Sequence, residues 1–423
     1  MTPPSDNRSV FVWAWLPGHT EPVVAGRLHR SGNIHHFIYG RSYLDREDAI
    51  SLFEPELPLR AGWIEPLEGL SVAGCLDDGK PDSWGRRVII ARLTGKKGSA
   101  IDAVDIDEAT VLLESGSNRI GGLDFQKSAT TYEPRDDDAT LDELHRAATA
   151  FQQGEELSPA LAEALVHGTA VGGARPKILV KDGDTHMIAK LSLSTDTYPI
   201  VKAEAAAMEL ARRAGIDAPP SRIVTSLGRE ILLVERFDRP GNGRRRMMVS
   251  GLTMQGLDGF LGARYSSYPD MLDALRARSA DPASLGQAVF ARIVFNIAIG
   301  NIDDHARNHA AFWDGESLEL TPAYDLCPQL RSSETAKQAM DIDRDGMRDS
   351  QFALCVEAAH IYGLSKRAAR EMIERQVEII NDNWSDVADL AQLTTAERNA
   401  LWGRQILNPY ASYDFGFTTG TAP

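Results

Sequence analysis

The sequence predicts an α+β protein, rich in short strands at its start and mainly helical towards its end. Three observations predict it. The first third alternates β-type runs with Gly and Pro, residues 172–235 read as a hairpin, a helix and two further strands, and the remainder carries mainly helical patterns. A chain of 423 residues is long enough for two or three modules.

Taken in order, Val10-Phe-Val-Trp-Ala-Trp-Leu16, Pro17-Gly18 and Val23-Val-Ala-Gly-Arg-Leu28 read as a meander. Pro81-Asp-Ser-Trp-Gly-Arg-Arg-Val-Ile-Ile-Ala-Arg-Leu93 reads as a turn feeding a helix, with Ser83 as its cap. This region closes at Gly121-Gly-Leu-Asp-Phe-Gln126. Residues 127–138, polar, with Pro134 and three successive aspartates, form the predicted linker. Helices follow at 141–153 and at 159–167, the second with Ser158 at N-cap and Pro159 at N1. Gly172-Gly-Ala-Arg-Pro-Lys177 places a glycine pair in a tight turn. Ile178-Leu-Val180 and Met187-Ile-Ala-Lys190-Leu191 then flank Asp182-Gly-Asp184, a hairpin signal. Residues 200–214 read as a helix stopped by Gly215, and 221–224 and 230–235 as strands. Residues 285–299 are apolar nearly all round, which predicts a central buried helix. Ser365 caps a long helix over 366–383, and the small, polar residues from Phe417 onward are expected to be loose.

Composition removes several function classes. With 45 basic and 60 acidic residues the net charge is −15, which opposes nonspecific nucleic-acid binding over the whole surface. A hydrophobic share of 43% with 25% charged residues fits a globular chain that buries a large core, and excludes collagen-like and disordered classes. Cys75, Cys327 and Cys355 lie far apart and form no CxxC pair, as in a reducing cytoplasm. The longest apolar run, 291–300, is well short of the ~18 residues a span needs and carries Arg292 and Asn296. The N-terminus shows no basic stretch leading into an apolar one. A cytoplasmic protein without membrane contact is expected.

The richest chemistry lies in Gly300-Asn-Ile-Asp303-Asp304-His305-Ala-Arg307-Asn308, directly after the apolar helix. Residues 309–313 and 317–321 flank Asp314-Gly315-Glu316, a second hairpin. Centring that hairpin between Asp314 and Gly315 carries Asp325 to a point opposite Asp304, beside Asp303 and Asn308. Hard oxygen ligands of this kind suit Mg²⁺ held jointly with phosphate oxygens, whereas zinc would want more His or Cys. The interval from Asp303 to Asn308 equals that between the proton-accepting aspartate and the metal-binding asparagine of a protein-kinase catalytic loop, and Asp325 suits the later metal-bridging aspartate. Upstream, Lys190 on a strand and Glu204 on the next helix stand in the order of a phosphate-binding lysine and the glutamate that orients it. Each piece alone is common; the ordered set is not.

Gly172-Gly-Ala-Arg-Pro-Lys177, Ile188-Ala-Lys190-Leu191, Val234-Glu-Arg-Phe-Asp-Arg239, Asn301-Ile-Asp-Asp-His-Ala-Arg-Asn308 and Leu320-Thr-Pro-Ala-Tyr-Asp325-Leu326 together resemble the HipA family of serine/threonine kinases, the toxin halves of bacterial toxin–antitoxin pairs. Pro81-Asp-Ser-Trp-Gly85 and Gly121-Gly-Leu-Asp-Phe125 resemble that family's first subdomain. The resemblance implies a two-lobed, protein-kinase-like fold. Its parts would be a β-rich subdomain over 1–125, an N-lobe over 126–236, a helical C-lobe over 237–416 and a flexible tail over 417–423. It implies ATP and Mg²⁺ as cofactors, Gly172, Gly173, Lys177 and Lys190 on the nucleotide, and Glu235 and Phe237 at an interlobe hinge whose backbone holds adenine. Asp303 is then the catalytic base, His305 and Asn308 contact ATP and metal, and Asp325 is the Mg²⁺ ligand. The implied partners are a HipB-like helix-turn-helix antitoxin, DNA only through that antitoxin, and a protein substrate such as an aminoacyl-tRNA synthetase.

Many such kinases carry an autophosphorylated serine just before the glycine turn. Here Ala170, which has no hydroxyl, stands at that place with Thr169 beside it, so either Thr169 is the acceptor in its stead or the loop is regulated otherwise. Two other readings stay open from the residues, a small-molecule kinase and a catalytically weak corepressor subunit. Arg244-Arg-Arg246 is the single local basic run of note and reads as an exposed loop tip.

Overall fold

Where Val, Phe and Trp alternate around Gly-Pro turns, strands form. The computed structural model describes residues 9–136, 139–170, 175–193, 195–331 and 333–416, so the expectations for Gly172, Gly173 and residues 417–423 lie outside the described residues. β1 (Val10–Ala14), β2 (Val23–Ser31) and β3 (Ile34–Tyr39) make the expected antiparallel meander. The chain then passes through α1 (Arg41–Leu44), α2 (Gly74–Asp77), α3 (Ser83–Thr94) and α4 (Glu108–Glu114). β4 (Leu123–Gln126) returns beside β1, giving the sheet order β3-β2-β1-β4. The cap of α3 is Asp82 rather than Ser83. Asp82 has extended backbone and accepts the Gly85 amide proton at 2.7 Å, whereas Ser83 is already helical.

The stretch expected as a linker is fastened down over residues 127–136. Tyr132 packs against the rings of Trp13 and Trp15 at 5.4 and 5.5 Å, and its hydroxyl donates to Asp124 at 3.0 Å. Arg135 reaches the same carboxylate at 2.8 Å. Polar composition hid these anchors, because one tyrosine and one arginine do the holding.

α5 (Leu141–Gln152) starts at a capping box made by Thr140 and Glu143, and α6 (Pro159–Gly168) at Ser158. β5 (Lys177–Asp182) and β6 (Thr185–Leu191) form the hairpin foreseen at Asp182-Gly-Asp184. After α7 (Ile200–Arg213) come β7 (Ser221–Ser226) and β8 (Arg229–Glu235), completing a sheet in the order β5-β6-β8-β7.

The C-terminal half holds β9 (Met248–Ser250), α8 (Gly251–Met254), α9 (Gly259–Tyr265), α10 (Tyr268–Arg276) and α11 (Pro282–Ile299). It continues through β10 (Ala310–Trp313), β11 (Leu318–Leu320), α12 (Phe352–Ala358), α13 (Lys366–Leu390) and α14 (Thr395–Leu401). α11 is long and apolar enough to cross a membrane by length and composition, yet most of it is buried inside the protein. α13 outruns its expected end at 383 because Trp384, Val387 and Ala388 continue its buried face. The β10–β11 hairpin pairs Ala311 with Leu320, one residue later in centre than expected. The Asp314 carboxylate takes the amide protons of Glu316 and Ser317 at 2.9 and 2.7 Å, which lengthens the loop.

Among the described residues, two large apolar cores and one small cluster hold the molecule together. Val12, Phe37 and Phe125 of the first sheet belong to the large core that surrounds α11. Trp84, Val88 and Ile89 of α3 belong instead to the core beneath the β5–β8 sheet, with Leu165, Ile178, Ala189 and Leu233. The N-terminal residues therefore pack on both lobes. The three cysteines are free and buried.

Candidate active site

The loop after α11 is released at Gly300 and pinned by the Asp304 carboxylate, to which sequence reasoning gave no role. Gly300 caps the helix with φ +70°, and a Cβ there would meet the Gln405 carbonyl at 2.6 Å. Asp304, 1% exposed, accepts from the Tyr268 hydroxyl at 2.6 Å and Asn296 Nδ2 at 2.7 Å, and lies 2.9 Å from His309 Nε2. With Asp304 turned inward, Asp303 and His305 on either side of it are exposed. Asn308 is buried and donates from Nδ2 to the Asp303 carbonyl at 3.1 Å, closing the loop on itself.

Asp325 enters from the other side of the hairpin with φ +58°, a conformation that Asp tolerates better than most residues. Its carboxylate is bonded to the Lys190 ammonium, which also donates to Glu204 on α7. Lys177 lies directly across the β5–β6 ladder from Lys190, and its ammonium is 3.7 Å from Asp325. Like charges opposite one another on adjacent strands repel unless an anion sits between them, and Asp325 is that anion. Burial pushes the Asp325 carboxyl up, but Lys177 and Lys190 outweigh it and hold the group well below the usual carboxylate range. Burial likewise opposes the Lys190 charge, while Asp325 and Glu204 raise its pKa above the ordinary lysine value. The Asp303 carboxyl is raised by burial and by the nearby Asp325 and Asp304 carboxylates, against the pull of His305.

These groups share one cleft of about 610 Å³. Its lining includes the polar groups of Lys177, Lys190, Glu204, Asp303, His305, Asn308 and Asp325 and the apolar side chains of Ile120, Ile188, Val234, Phe237 and Met248. The Phe237 ring is fixed edge-on to Phe312 and tilted on Tyr324, with centroids 5.8 Å apart in both pairs. The Glu235 amide is spent on the Pro220 carbonyl at 2.9 Å. Thr169 is 1% exposed, and its hydroxyl donates to the Val166 carbonyl at 3.2 Å. Among the described residues, no three His, Cys, Asp or Glu side chains cluster as a metal cage. Asp325 and Asn308 offer a carboxylate and an amide oxygen, donor types that suit Mg²⁺ when phosphates and water complete its shell.

Sequence reasoning missed a second polar system at the hinge. Arg236 donates to the carboxylate of Asp238, to the Asn118 side chain at 2.9 Å and to the Arg119 carbonyl at 2.6 Å. Asp238 also accepts the Gly121 amide proton at 2.8 Å, so this hinge is bolted to the first sheet's connecting loop. The signal was the charge alternation of Arg236-Phe-Asp-Arg239 beside a buried strand. Arg245 lies over Trp15 at 3.6 Å and Arg246 over Phe312 at 3.4 Å, so two of the three arginines in the basic run are engaged within the chain.

Comparison with known proteins gives a consistent picture. A protein of Sinorhizobium fredii named as a kinase, Y4mE, is 26% identical over 266 residues, covering 58% of this chain and 61% of that protein. The serine/threonine-protein kinase toxin HipA of Shewanella oneidensis is 29% identical over 213 residues, 44% of this chain and 49% of that protein. The chain thus spans about half to three fifths of the length of these relatives. A solved structure of Shewanella oneidensis HipA with HipB and operator DNA superposes with a TM-score of 0.67 at 19% identity, over 96% of this chain and 98% of that one. That likeness establishes a two-lobed, kinase-like α+β fold. The family model of the HipA-like C-terminal domain matches residues 169–384, which holds Lys177, Lys190, Glu204, Asp303, Asn308 and Asp325, and the chain belongs to that family.

Proposed function

We propose that the chain is an ATP- and Mg²⁺-dependent serine/threonine protein kinase acting as the toxin of a toxin–antitoxin pair. The observation that carries this reading is the bridge from Glu204 through Lys190 to Asp325, which joins the two lobes across the cleft that also holds Asp303 and Asn308. When bound, Mg-ATP supplies the γ-phosphoryl group. Glu204 keeps the Lys190 ammonium aimed into the cleft beside Asp325, where Lys177 adds a second positive charge for phosphate oxygens. Asp325 and Asn308 would hold the metal. Adenine recognition falls to the backbone of Phe237, because the Glu235 amide is already bonded. Asp303 accepts the proton of the incoming hydroxyl. Its raised pKa moves it towards the working pH, as general-base catalysis requires. His305, exposed beside it, contacts the nucleotide.

The partners that fit are a HipB-like antitoxin, through which DNA is met indirectly, and a cytoplasmic translation protein such as an aminoacyl-tRNA synthetase as substrate. Radiolabelled ATP in a translation lysate tests the reading. Label is expected on protein with the wild type, with Asp303→Asn lowering transfer by roughly 10²–10⁴ and Asp325→Ala abolishing it. Label on metabolites alone would favour a small-molecule kinase, and no transfer with intact ATP binding would favour a corepressor role.

A further inference from the structure

Two contacts between the N-terminal residues and the β5–β8 lobe leave room only for glycine. At Gly85, on the first turn of α3, a Cβ would stand 2.6 Å from the Thr169 carbonyl and 2.9 Å from Pro81 Cβ. At Gly116, just beyond α4, it would stand 2.5 Å from the His167 carbonyl and 2.8 Å from His167 Cα. Neither glycine has a positive φ, so the backbone at both positions accepts any residue, and close approach alone demands glycine. The opposing atoms are mostly backbone, which no rotamer change can move aside.

What these glycines touch is the turn over residues 167–170 at the end of α6. Beyond it, Ala170 is buried against Leu179 of β5, with Ile120 and Ile188 packed on the pair. Ile120 and Ile188 line the cleft, and Leu179 is two residues from Lys177 on the same strand. Arg175, just before that strand, is tied to both carboxylate oxygens of Asp196 at 2.7 Å. Asp82, which caps the helix bearing Gly85, lines the same cleft as Lys177. A continuous packed path therefore runs from Gly85 and Gly116, through the turn and Leu179, to Lys177 and Asp325.

We propose that the N-terminal unit is a positioning part of the nucleotide site: Gly85 and Gly116 grip the turn over 167–170 and so set where β5 and Lys177 stand in the cleft. This rests on the ATP reading given above. Gly85 and Gly116 are positioning residues, acting through that turn and strand without touching the nucleotide.

The test is calorimetric titration of the full chain with Mg-ATP, comparing wild type, Gly85→Ala, Gly116→Ala and Gly40→Ala. Gly40 lies in the same N-terminal unit, but a Cβ there would meet nothing closer than 3.8 Å, so that variant is the control. A displacement of the turn by a fraction of an ångström is expected to weaken ATP binding about 10- to 100-fold for Gly85→Ala and Gly116→Ala. Gly40→Ala should bind as wild type does. The thermal midpoints of the nucleotide-free Gly85→Ala and Gly116→Ala proteins are expected to fall below that of the wild type, because overpacking against backbone costs stability, so the titrations are run well below those midpoints. Should either glycine variant fail to fold, hydrogen exchange on the wild type decides. α6 lines no part of the cleft among the described residues, yet its amides should exchange more slowly with ATP present, because coupling is reciprocal. If wild type binds and both variants bind equally well, or if α6 exchange ignores ATP, the grip is refuted and the nucleotide site stands. If wild type itself binds no ATP, both fall.

Discussion

Tyr268→Phe removes one oxygen that α10 presents to the loop after α11, and little else. The Tyr268 ring is fully buried and stands edge-on to His309, centroids 5.6 Å apart, so the phenylalanine ring is expected to keep its seat. What disappears is the 2.6 Å hydrogen bond to Asp304. A hydrogen bond to a carboxylate contributes about 1.5–3 kcal/mol, and no cavity larger than the hydroxyl is left to add to that. Asn296 and His309 still face Asp304, so the loop loosens without collapsing. Asn296→Ala removes a second donor to the same carboxylate, and the two changes should be non-additive, because each alters the anchor on which the other depends. Urea unfolding of the four proteins of this cycle gives the coupling, and phosphoryl transfer at saturating ATP gives the effect on Asp303. We expect a coupling on the order of 0.5–3 kcal/mol and lower turnover in Tyr268→Phe. Strict additivity with unchanged turnover would refute the view that Asp304 is what presents Asp303 to the cleft.

Two further outcomes follow from burial. Glu56 accepts the amide protons of Gly74 and Cys75 at 2.9 and 2.7 Å, and burial pushes its pKa up to about 7. Unfolded glutamate titrates near about 4.3, so across that window the folded chain keeps a proton that the unfolded chain has lost, and stability falls as pH rises. Asp78, raised by burial to about 6, and Asp82, raised by burial to about 7, act with the same sign. Glu56→Gln should flatten part of the slope in urea unfolding, and an identical slope would count against this assignment. Thr169, buried with its hydroxyl engaged, should carry no phosphate after the folded chain is incubated with Mg-ATP; peptide mapping that finds phosphothreonine there would mean that the turn leaves its seat.

Much of the fold was legible because local signals agreed with tertiary packing. The Asp182-Gly-Asp184 turn, the Ser158-Pro159 helix start and the apolar run of α11 each had one reading, and each formed as read. Lys190, Glu204 and Asp325 were legible as an ordered set, and they meet. What escaped was decided by contacts distant in sequence. Asp304 and Asp303 are chemically identical neighbours, and Tyr268 and Asn296 from two helices, with His309, determine which one turns inward. A clue was present in Arg292 and Asn296, four residues apart within the apolar C-terminal part of that helix and so on one face of it. The anchoring of residues 127–136 on Trp13 and Trp15, and of Arg236 on Asn118 and Arg119, joins segments that no local pattern connects.

Asp325 both occupies Lys190 in the free protein and is assigned the metal in the nucleotide complex, which makes Asp325→Asn the sharpest single variant. ATP titration with and without Mg²⁺ should give wild-type binding that is strongly Mg²⁺-dependent. The variant should lose that dependence, yet bind metal-free ATP at least as tightly, because Lys190 is freed from its carboxylate partner. Unchanged Mg²⁺ dependence in Asp325→Asn would contradict the assignment of this carboxylate to the metal, and with it the kinase site built around it.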